Sequence, residues 1–397
     1  MKLTILFVIA SCLCYGLLPS INTQAPIPLV AFQQPGGSTS TVSTILAAAV
    51  AKSHVPGIAA VIVRSRGIVE VGVAGVRKNG FNDPIQRGDL FHLGSNTKAM
   101  TATLIARWVE RGQLAWTTRP IDVFSDMRGK INPAFVDITL TDLLNHHAGI
   151  ASFKDGGTAE FRDARKAAGS GSPTEQRREF TYWLLQRPPD VEPRTKMQYS
   201  NAGYAVAAAM LEKVAGKSWE SLMVADLWEP LGIRSGGFGW PGRGNETQQP
   251  WGHWRQDDRY VPHDPNGTYH VVDFMAAGGA VRMSITDYGR FLQMHLQGLA
   301  GRNTILKAQT VRALHTPIDG SAFGWGVGRE SHGHNGSGGT FWATVKMWPR
   351  LDLAVAVATN AADDSVRIMN AADDSVRIIC SETVDRLKDY TLKRASK

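Results

Sequence analysis

The spacing of apolar residues predicts strands near both ends of the chain. Residues 58–80 read IAAVIVRSRGIVEVGVAGVRKNG, in which two β-branched runs flank a polar turn at residues 64–67, a pattern typical of a β-hairpin. Residues 340–347 and 353–359 are also apolar or alternating, and a Pro-Arg turn at 349–350 separates them. The two ends of the chain are therefore predicted to supply strands.

A helical period replaces the strand pattern between these regions. In residues 94–112, Met100, Leu104 and Trp108 recur at every fourth position, and Gly112 suits the position just after a helix. The other helices are predicted at residues 42–52, 201–215, 287–297 and 383–392.

Strands at both ends and helices in the middle favour an α+β fold. We expect an antiparallel sheet flanked by helices and built from residues 39–115 and 275–397. A mostly helical part, residues 116–274, is inserted between them. Residues 39–397 are thus predicted to form one catalytic unit.

Residues 1–25 have the pattern of a secretory signal peptide. Lys2 precedes an apolar stretch at residues 3–18, which is typical of a signal rather than of a membrane span. We expect export to the periplasm or secretion, a linker at residues 26–38, and no membrane span in the mature chain. A lipoprotein anchor at Cys12 and a retained N-terminal anchor are the two alternatives.

Composition and charge narrow the classes of partner. The 397 residues are 43% hydrophobic and 20% charged, as in an ordinary globular protein, and the formal net charge is +8. Basic residues never run longer than two, and no aromatic–basic interleaving marks a nucleic-acid face, so no nucleic-acid partner is predicted. Without the signal, Cys380 is the single cysteine, which excludes an internal disulfide and a cysteine metal site.

The nonapeptide NAADDSVRI occurs twice, at residues 360–368 and 370–378. A shift of ten residues along a helix turns about 1000° and leaves the second copy about 80° from the first, so both copies cannot face the core equally. We interpret the first copy as an extra loop or helix extension between the last strand and the closing helix.

Three short motifs carry the candidate chemistry, and the first is the Ser95–Lys98 pair in FHLGSNTK. Residues i and i+3 share one face of a helix, and the free N–H groups of a first turn favour developing negative charge. Serine is a weak nucleophile until a base takes its proton, and a lysine can be that base when burial lowers its pKa. By itself, Ser-x-x-Lys is also a common chance spacing.

The second motif is Tyr199-Ser200-Asn201, just before the helix predicted at 201–215. A tyrosine can shuttle a proton if a neighbouring cation lowers its pKa from about 10, and an asparagine amide can donate to a substrate carbonyl. The structural alternative is that Ser200 or Asn201 caps the helix while Tyr199 packs.

The third motif is HNGSGG, residues 334–339, which opens the strand predicted at 340–347. Its glycines let a substrate approach the strand edge, and an N–H near Ser337 could face an oxyanion. A glycine-rich hairpin loop is the structural alternative.

No cofactor and no metal are predicted. The chain has neither an HExxH motif nor a Cys/His ligand spacing, and the G-x-G-x-x-G at residues 237–242 lacks the strand and helix that a dinucleotide site needs. G-x-S-x-G is also absent, which argues against an esterase of the α/β-hydrolase type.

Together, SNTK, YSN and HNG give the chain a specific likeness. The sequence resembles the serine β-lactamase and penicillin-binding-protein superfamily, and within it the class C β-lactamases, DD-carboxypeptidases and family VIII carboxylesterases. Further similar stretches are LTDLLNHHAGI, LWEPLGI and AAGGAVRMSITDYGRFLQMHL, so the resemblance covers about residues 39–360. It implies an antiparallel sheet flanked by helices together with a helical domain, in agreement with the predicted elements.

The resemblance also implies catalytic roles. Ser95 would be the nucleophile that accepts the acyl group, and Lys98 would be its base or proton partner. Tyr199 would exchange protons with the leaving group and later activate water.

Binding roles follow from the same resemblance. Asn201 would bind the carbonyl of the substrate side chain, and His334 and Gly336 would line the opposite wall. The N–H groups of Ser95 and Ser337 would form the oxyanion hole.

One position departs from the family pattern, because His334 stands where cephalosporinases have lysine. An ordinary histidine is mostly neutral at pH 7, so it would bind a substrate carboxylate less well. We therefore expect a serine hydrolase with an acyl-enzyme on Ser95 that acts on a small ester, amide or peptide, with esterase-like activity favoured. The alternatives are a β-lactamase or D-Ala-D-Ala carboxypeptidase, and a penicillin-binding sensor that acylates without turnover.

Overall fold

The computed structural model describes residues 40–153, 156–243, 248–256, 259–267, 272–363 and 375–395. The predicted signal peptide and linker, residues 1–38, lie outside the described residues. Ser40–Lys397 forms a single unit by its contacts.

The strands lie mostly towards the two chain ends, as predicted. In chain order they are β1 (Gly57–Arg64), β2 (Gly67–Gly75), β3 (Leu90–His92), β4 (Gly237–Phe238), β5 (His253–Gln256), β6 (Arg259–Pro262), β7 (Val281–Ser284), β8 (Ser321–Ala322), β9 (Trp325–Val327), β10 (His332–Ser337), β11 (Trp342–Trp348), β12 (Leu353–Thr359) and β13 (Ala361–Ala362).

Helices dominate the middle of the chain and also flank the strands at both ends. They are α1 (Thr41–Ser53), α2 (Thr97–Glu110), α3 (Pro120–Val123), α4 (Leu140–Leu144), α5 (Ala159–Ala168), α6 (Pro173–Leu185), α7 (Asn201–Ala215), α8 (Trp219–Leu222), α9 (Ile285–Leu299), α10 (Ala308–Leu314) and α11 (Ser375–Ala395). Short 3-10 turns include Gly94–Asn96 and Asp273–Gly278.

The largest sheet in the described part of the chain has the strand order β2-β1-β12-β11-β10-β9-β8, and every neighbouring pair is antiparallel. The N-terminal strand β1 pairs directly with the C-terminal strand β12, from Ile58 opposite Thr359 to Val63 opposite Ala354. The expected α+β fold, with one sheet built from both chain ends, is confirmed.

Both faces of this sheet are covered, which explains why its central strands are apolar at successive positions. In β1, Ala59 and Val61 belong to a core cluster with residues of α2 and α9, whereas Ile58 and Ala60 belong to a second cluster with residues of α1 and α11. All residues of β12 are buried. The α2 and α9 side also carries the candidate site.

The predicted and observed helix bounds agree where a neighbouring residue caps the helix. The bounds of α7 are those predicted, and Ser200 caps it by accepting the N–H of Gly203 at 3.0 Å. Such a cap stabilises a helix by about 1 kcal/mol. The helix predicted at residues 94–112 is instead the 3-10 turn Gly94–Asn96 followed by α2, and α11 begins well before residue 383.

Most of the third motif lies within a strand, whereas the sequence predicts it as the segment that leads into the next strand. Residues 334–337 belong to β10, which pairs with β11 so that His334 lies opposite Val345 and Gly336 opposite Ala343. The glycine-rich sequence has little β-propensity, and the strand forms because β11 pairs with it along its length.

The repeated nonapeptide is divided between two elements. Residues 360–363 of the first copy are buried and include β13, which pairs with β5. The carboxylate of Asp363 accepts the N–H of Val376 at 2.7 Å and the hydroxyl of Ser375 at 3.1 Å, so it caps the helix that the second copy begins. Residues 364–374 lie outside the described residues. The interpretation of the first copy as an extra segment is therefore wrong for residues 360–363.

Three histidines, His295 and His315 buried and His332 half-buried, form a hydrogen-bonded row between α2 and β10. The Thr103 hydroxyl donates to Ala99 O at 2.7 Å, so its oxygen accepts from His295 Nε2 at 3.3 Å. His315 Nε2 then donates to His295 Nδ1 at 3.0 Å, and His332 Nδ1 donates to His315 Nδ1 at 2.9 Å. This direction assigns one tautomer to each neutral ring. Burial lowers the pKa of all three imidazoles, that of His295 to about 3.

Deletion of residues 364–373 should leave the fold intact, because it joins Asp363 to Asp374 and restores one complete NAADDSVRI. Val376 then follows Asp363 by three positions, which is the spacing of an aspartate cap. We expect unchanged activity and an equal or higher melting temperature, since a shorter closed loop costs less entropy. Thermal melts check this. As a control, Asp363→Ala in the deletion variant should lower its melting temperature by about 2 °C, and a deletion that itself destabilises the protein would contradict the prediction.

Stability should fall as the pH drops below 6.5. Burial lowers the pKa of His92 and of His295 to about 3 and that of His253 to about 4, so these three rings stay neutral in the folded state. The unfolded chain binds the same protons near pH 6.5, so the stabilisation is complete above that pH and is lost towards pH 4, by about 1.4 kcal/mol per pH unit for each histidine. Thermal melts between pH 7.5 and 4.5 measure this loss. His295→Gln should reduce the slope, and a constant melting temperature between pH 7 and 5 would rule the effect out.

Candidate active site

Ser95 is the half-exposed residue in an otherwise buried stretch, residues 91–100. It lies on the 3-10 turn Gly94–Asn96, directly before α2. The amide of Asn96 holds this turn against β11 by donating to Ala343 O at 3.1 Å. The turn therefore leaves Ser95 half exposed while its backbone is fixed from behind.

Lys98 is fully buried as the second residue of α2, and its Nζ contacts acceptors on three separate segments. It donates to Ser95 Oγ at 3.1 Å, to Asn201 Oδ1 at 2.6 Å and to Gly278 O at 2.6 Å. The first contact puts Nζ within proton-transfer distance of the candidate nucleophile. The other two bonds fix its position against α7 and the turn Asp273–Gly278.

Asn201 is the first residue of α7, and its amide links the helix to Lys98 and to Phe153. Its Oδ1 accepts from Lys98, and its Nδ2 donates one N–H to Phe153 O at 3.1 Å. The predicted contact with a substrate carbonyl therefore falls to the second N–H of the amide. The sequence alternative of a cap is also realised, but by Ser200, so capping and site formation occur together.

Tyr199 precedes this cap and forms a hydrogen bond with the Ser95 side chain. Lys98 Nζ lies 4.8 Å from the centre of its ring. The condition named from the sequence, a phenol pKa lowered by a neighbouring cation, is not met, because burial raises the pKa of Tyr199 to about 12 despite the bond with Ser95. The resting phenol is protonated and is equipped to donate a proton first.

The end of β10 packs directly on the Ser95 turn. Gly94 has φ +52°, and a Cβ there would lie 2.5 Å from both N and O of Ser337. A Cβ on Gly336 would lie 2.8 Å from the N of Ser95. The backbone groups predicted to form the oxyanion hole, the N–H of Ser95 and that of Ser337, are thus carried by two segments in close contact, and glycine is required on both.

His334 faces the catalytic side chains from β10. Its ring centre is 6.3 Å from that of Tyr199, and the two rings are stacked. Burial, together with the charge of Lys98, lowers the pKa of His334 to about 3. The imidazole is therefore uncharged throughout the pH range in which most hydrolases work. The sequence alone predicts only that it is mostly neutral at pH 7.

His146 was not identified as a site residue from the sequence. Its ring centre lies 4.5 Å from that of Tyr199, and its Nδ1 accepts the N–H of Ser200 at 3.1 Å. It adopts φ +65°, which is uncommon for a side-chain-bearing residue and consistent with a constrained position at a functional site. The signal in the sequence is the histidine pair in LTDLLNHHAGI, one of the stretches that carry the family resemblance.

No group of three or more His, Cys, Asp or Glu side chains in the described ranges is placed to hold a metal ion. Cys380 is buried in α11. Within the same ranges, no helix has both the length and the apolar character needed to cross a membrane.

A family model described as "Beta-lactamase" matches residues 42–377 of the chain. Among characterised proteins, "Penicillin-binding protein 4" of Amycolatopsis lactamdurans is 26% identical over 325 residues, which cover 77% of this chain and 81% of that protein. "Unguisins hydrolase ungD'" of Aspergillus campestris is 24% identical, over 79% of this chain and 60% of that protein.

Solved structures show the same fold. The D-amino acid amidase from Ochrobactrum anthropi SV3 superposes with a TM-score of 0.68 at 19% identity, covering 90% of this chain and 98% of that one. The octameric penicillin-binding protein homologue from Pyrococcus abyssi gives a TM-score of 0.65 at 23% identity, covering 81% and 73%.

Gly94→Ala should inactivate the site more than it destabilises the fold. The new Cβ would collide with the backbone of Ser337 and push apart the two N–H groups, which we expect to lower kcat by about 100-fold, the effect of losing an oxyanion donor. Gly112→Ala is the matched control, because Gly112 also has a positive φ (+70°) but a Cβ there meets open space. Equal losses of kcat in the two variants would contradict this account.

Proposed function

The chain belongs to the Beta-lactamase family of serine hydrolases, and from that premise we propose that it cleaves neutral esters and amides through an acyl-enzyme on Ser95. The observation that carries the substrate class is the uncharged His334, whose pKa is lowered to about 3. A substrate carboxylate beside the scissile bond would interact with the dipole of a neutral imidazole at this position, and not with a positive charge. Esters are the favoured substrates because they need the least assistance to the leaving group.

Acylation begins with Ser95. In the state that reacts, Lys98 has first lost a proton to solvent, so that its two remaining N–H groups keep the bonds to Asn201 Oδ1 and Gly278 O. Oγ then attacks the substrate carbonyl while its proton passes to the lone pair of this amine across the 3.1 Å contact. The developing oxyanion accepts hydrogen bonds from the N–H groups of Ser95 and Ser337. Asn201 orients the substrate through its second amide N–H.

Tyr199 completes acylation by giving its proton to the leaving group. A pKa of about 12 makes the phenol a weak acid, suited to protonating an alkoxide or an amine as it departs. The resulting tyrosinate is stabilised by the protonated Lys98, whose Nζ is 4.8 Å from the ring centre.

Deacylation returns both protons. The tyrosinate takes a proton from water, and the hydroxide so formed attacks the acyl carbon. Ser95 Oγ leaves with the proton held by Lys98, which restores the neutral amine and the protonated phenol. Every proton moved in acylation is thereby replaced.

A second candidate is a penicillin-binding protein or β-lactamase. It is favoured by the similarity to "Penicillin-binding protein 4". It requires that the neutral His334 binds the β-lactam carboxylate well enough for rapid acylation. Slow or absent deacylation would give the related case of a sensor, which shows a burst of product without turnover.

The substrate preference should follow the charge at residue 334. We expect turnover of a short p-nitrophenyl ester, little hydrolysis of a chromogenic cephalosporin, and a loss of at least about 10³-fold in Ser95→Ala. His334→Lys should raise the ratio of cephalosporin to ester kcat/KM by about 10-fold or more, because a charged donor binds the carboxylate more strongly. Steady-state kinetics on both substrates measure the ratio.

His334→Gln provides the uncharged control and should leave the ratio near that of the wild type. Cephalosporin turnover that equals ester turnover in the wild type would replace this proposal with the β-lactamase one. Ester hydrolysis that survives in Ser95→Ala would remove Ser95 from the mechanism.

A further inference from the structure

His92 occupies the space behind both segments that carry the oxyanion N–H groups. It is the last residue of β3 and has no exposed surface. Its Nδ1 accepts the N–H of Gly94 at 3.1 Å, one residue before Ser95. The ring is therefore hydrogen-bonded to the backbone of the turn Gly94–Asn96, hereafter the nucleophile turn because it carries the proposed nucleophile.

The same ring also touches the other segment. A Cβ added to Gly338 would overlap His92 Nδ1 and lie 2.8 Å from its Cγ, so the imidazole is packed against the backbone one residue after Ser337. One side chain thus contacts both the residue that precedes Ser95 and the residue that follows Ser337.

Two tryptophans hold the Ser337 side of this arrangement. Trp240 Nε1 donates to Gly338 O at 2.8 Å, and Trp254 Nε1 donates to Gly339 O at 2.9 Å. The N–H of Gly339 donates to Ser337 Oγ at 3.1 Å. The turn after Ser337 is therefore bonded at successive peptides, and its position relative to His92 is restricted.

The protonation state of His92 suits a permanent acceptor. Because Nδ1 accepts an N–H, the ring proton is on Nε2. Burial and the nearby charge of Arg282 lower the pKa of His92 to about 3, so this tautomer persists at neutral pH. Within the described residues, Nε2 has no acceptor, so replacing the ring removes no hydrogen bond at that end.

We propose that His92 is a positioning residue of the oxyanion hole, which, with Trp240 and Trp254, sets the spacing of the Ser95 and Ser337 N–H groups. The inference rests on the proposed function, since an oxyanion hole matters only if Ser95 is acylated. Its physical basis is that such donors act when they lie 2.7–3.1 Å from the oxygen that becomes charged, and sites tolerate errors of only about 0.5 Å.

The test compares His92→Phe, which keeps a ring but loses the acceptor, with His92→Asn, whose Oδ1 can take the place of Nδ1. For His92→Phe we expect kcat for the p-nitrophenyl ester to fall by about 10- to 100-fold with KM within about threefold of wild type. Affinity for phenylboronic acid, whose adduct with Ser95 places an oxygen in the hole, should fall by a similar factor. His92→Asn should recover a large part of both losses.

Trp240→Phe keeps the test decisive if a His92 variant does not fold. It removes the bond to Gly338 O and should lower kcat and boronate affinity together by about 5- to 10-fold. Trp219→Phe is the matched control, because Trp219 is also fully buried but its indole N–H has no acceptor among the described residues. It should leave both quantities unchanged.

The outcomes separate the two proposals. An active wild type in which His92→Phe and Trp240→Phe keep full kcat and boronate affinity would overturn the positioning role alone. Losses that accompany a large drop in melting temperature and that His92→Asn does not reverse would also overturn it, in favour of packing. A wild type without Ser95-dependent ester hydrolysis would overturn the proposed function and this inference with it.

Discussion

The arrangement of the candidate active site depends on the hydrogen bonds that the Lys98 amine forms. A buried amine is costly unless acceptors surround it, so the acceptors described above must converge on one atom. Those partners belong to the nucleophile turn, to the start of α7 and to the turn Asp273–Gly278, which are far apart in sequence. Because Tyr199 stands two residues before Asn201, the same convergence also brings the phenol to Ser95.

The opposite wall is determined by backbone packing and by neutral rings. Gly94 and Gly336 allow two peptide segments to touch, and β10 is held in place by a sheet that is covered on both faces. Lys98 is the cation that faces His334, and burial keeps that imidazole uncharged. Under the proposed function, this distribution of charge means that substrates are recognised by shape and dipoles more than by ion pairing.

The sequence predicted what local patterns and motifs encode. The bounds of α7, the β1–β2 hairpin and the meeting of Ser95, Lys98, Tyr199 and Asn201 follow from periodicity, capping and the motif resemblance. Features that depend on contacts between distant segments were missed. The strand β10 exists through its pairing with β11, the phenol pKa depends on burial, and His92 and His146 act through backbone groups that no motif describes.

The repeated nonapeptide marks a junction, between β13 and α11, at which the chain tolerates added residues. Asp363 and Val376 keep their contact across ten extra residues, so the chain already accommodates an insertion between the end of β13 and the start of α11. In β13, Ala362 pairs with Trp254, whose indole holds Gly339 beside the oxyanion segment. A ligand-binding domain inserted at this junction would be connected to the backbone of the active site through the paired strands β13 and β5. The junction is therefore a rational position at which to engineer an enzyme whose catalytic rate depends on the binding of a second molecule.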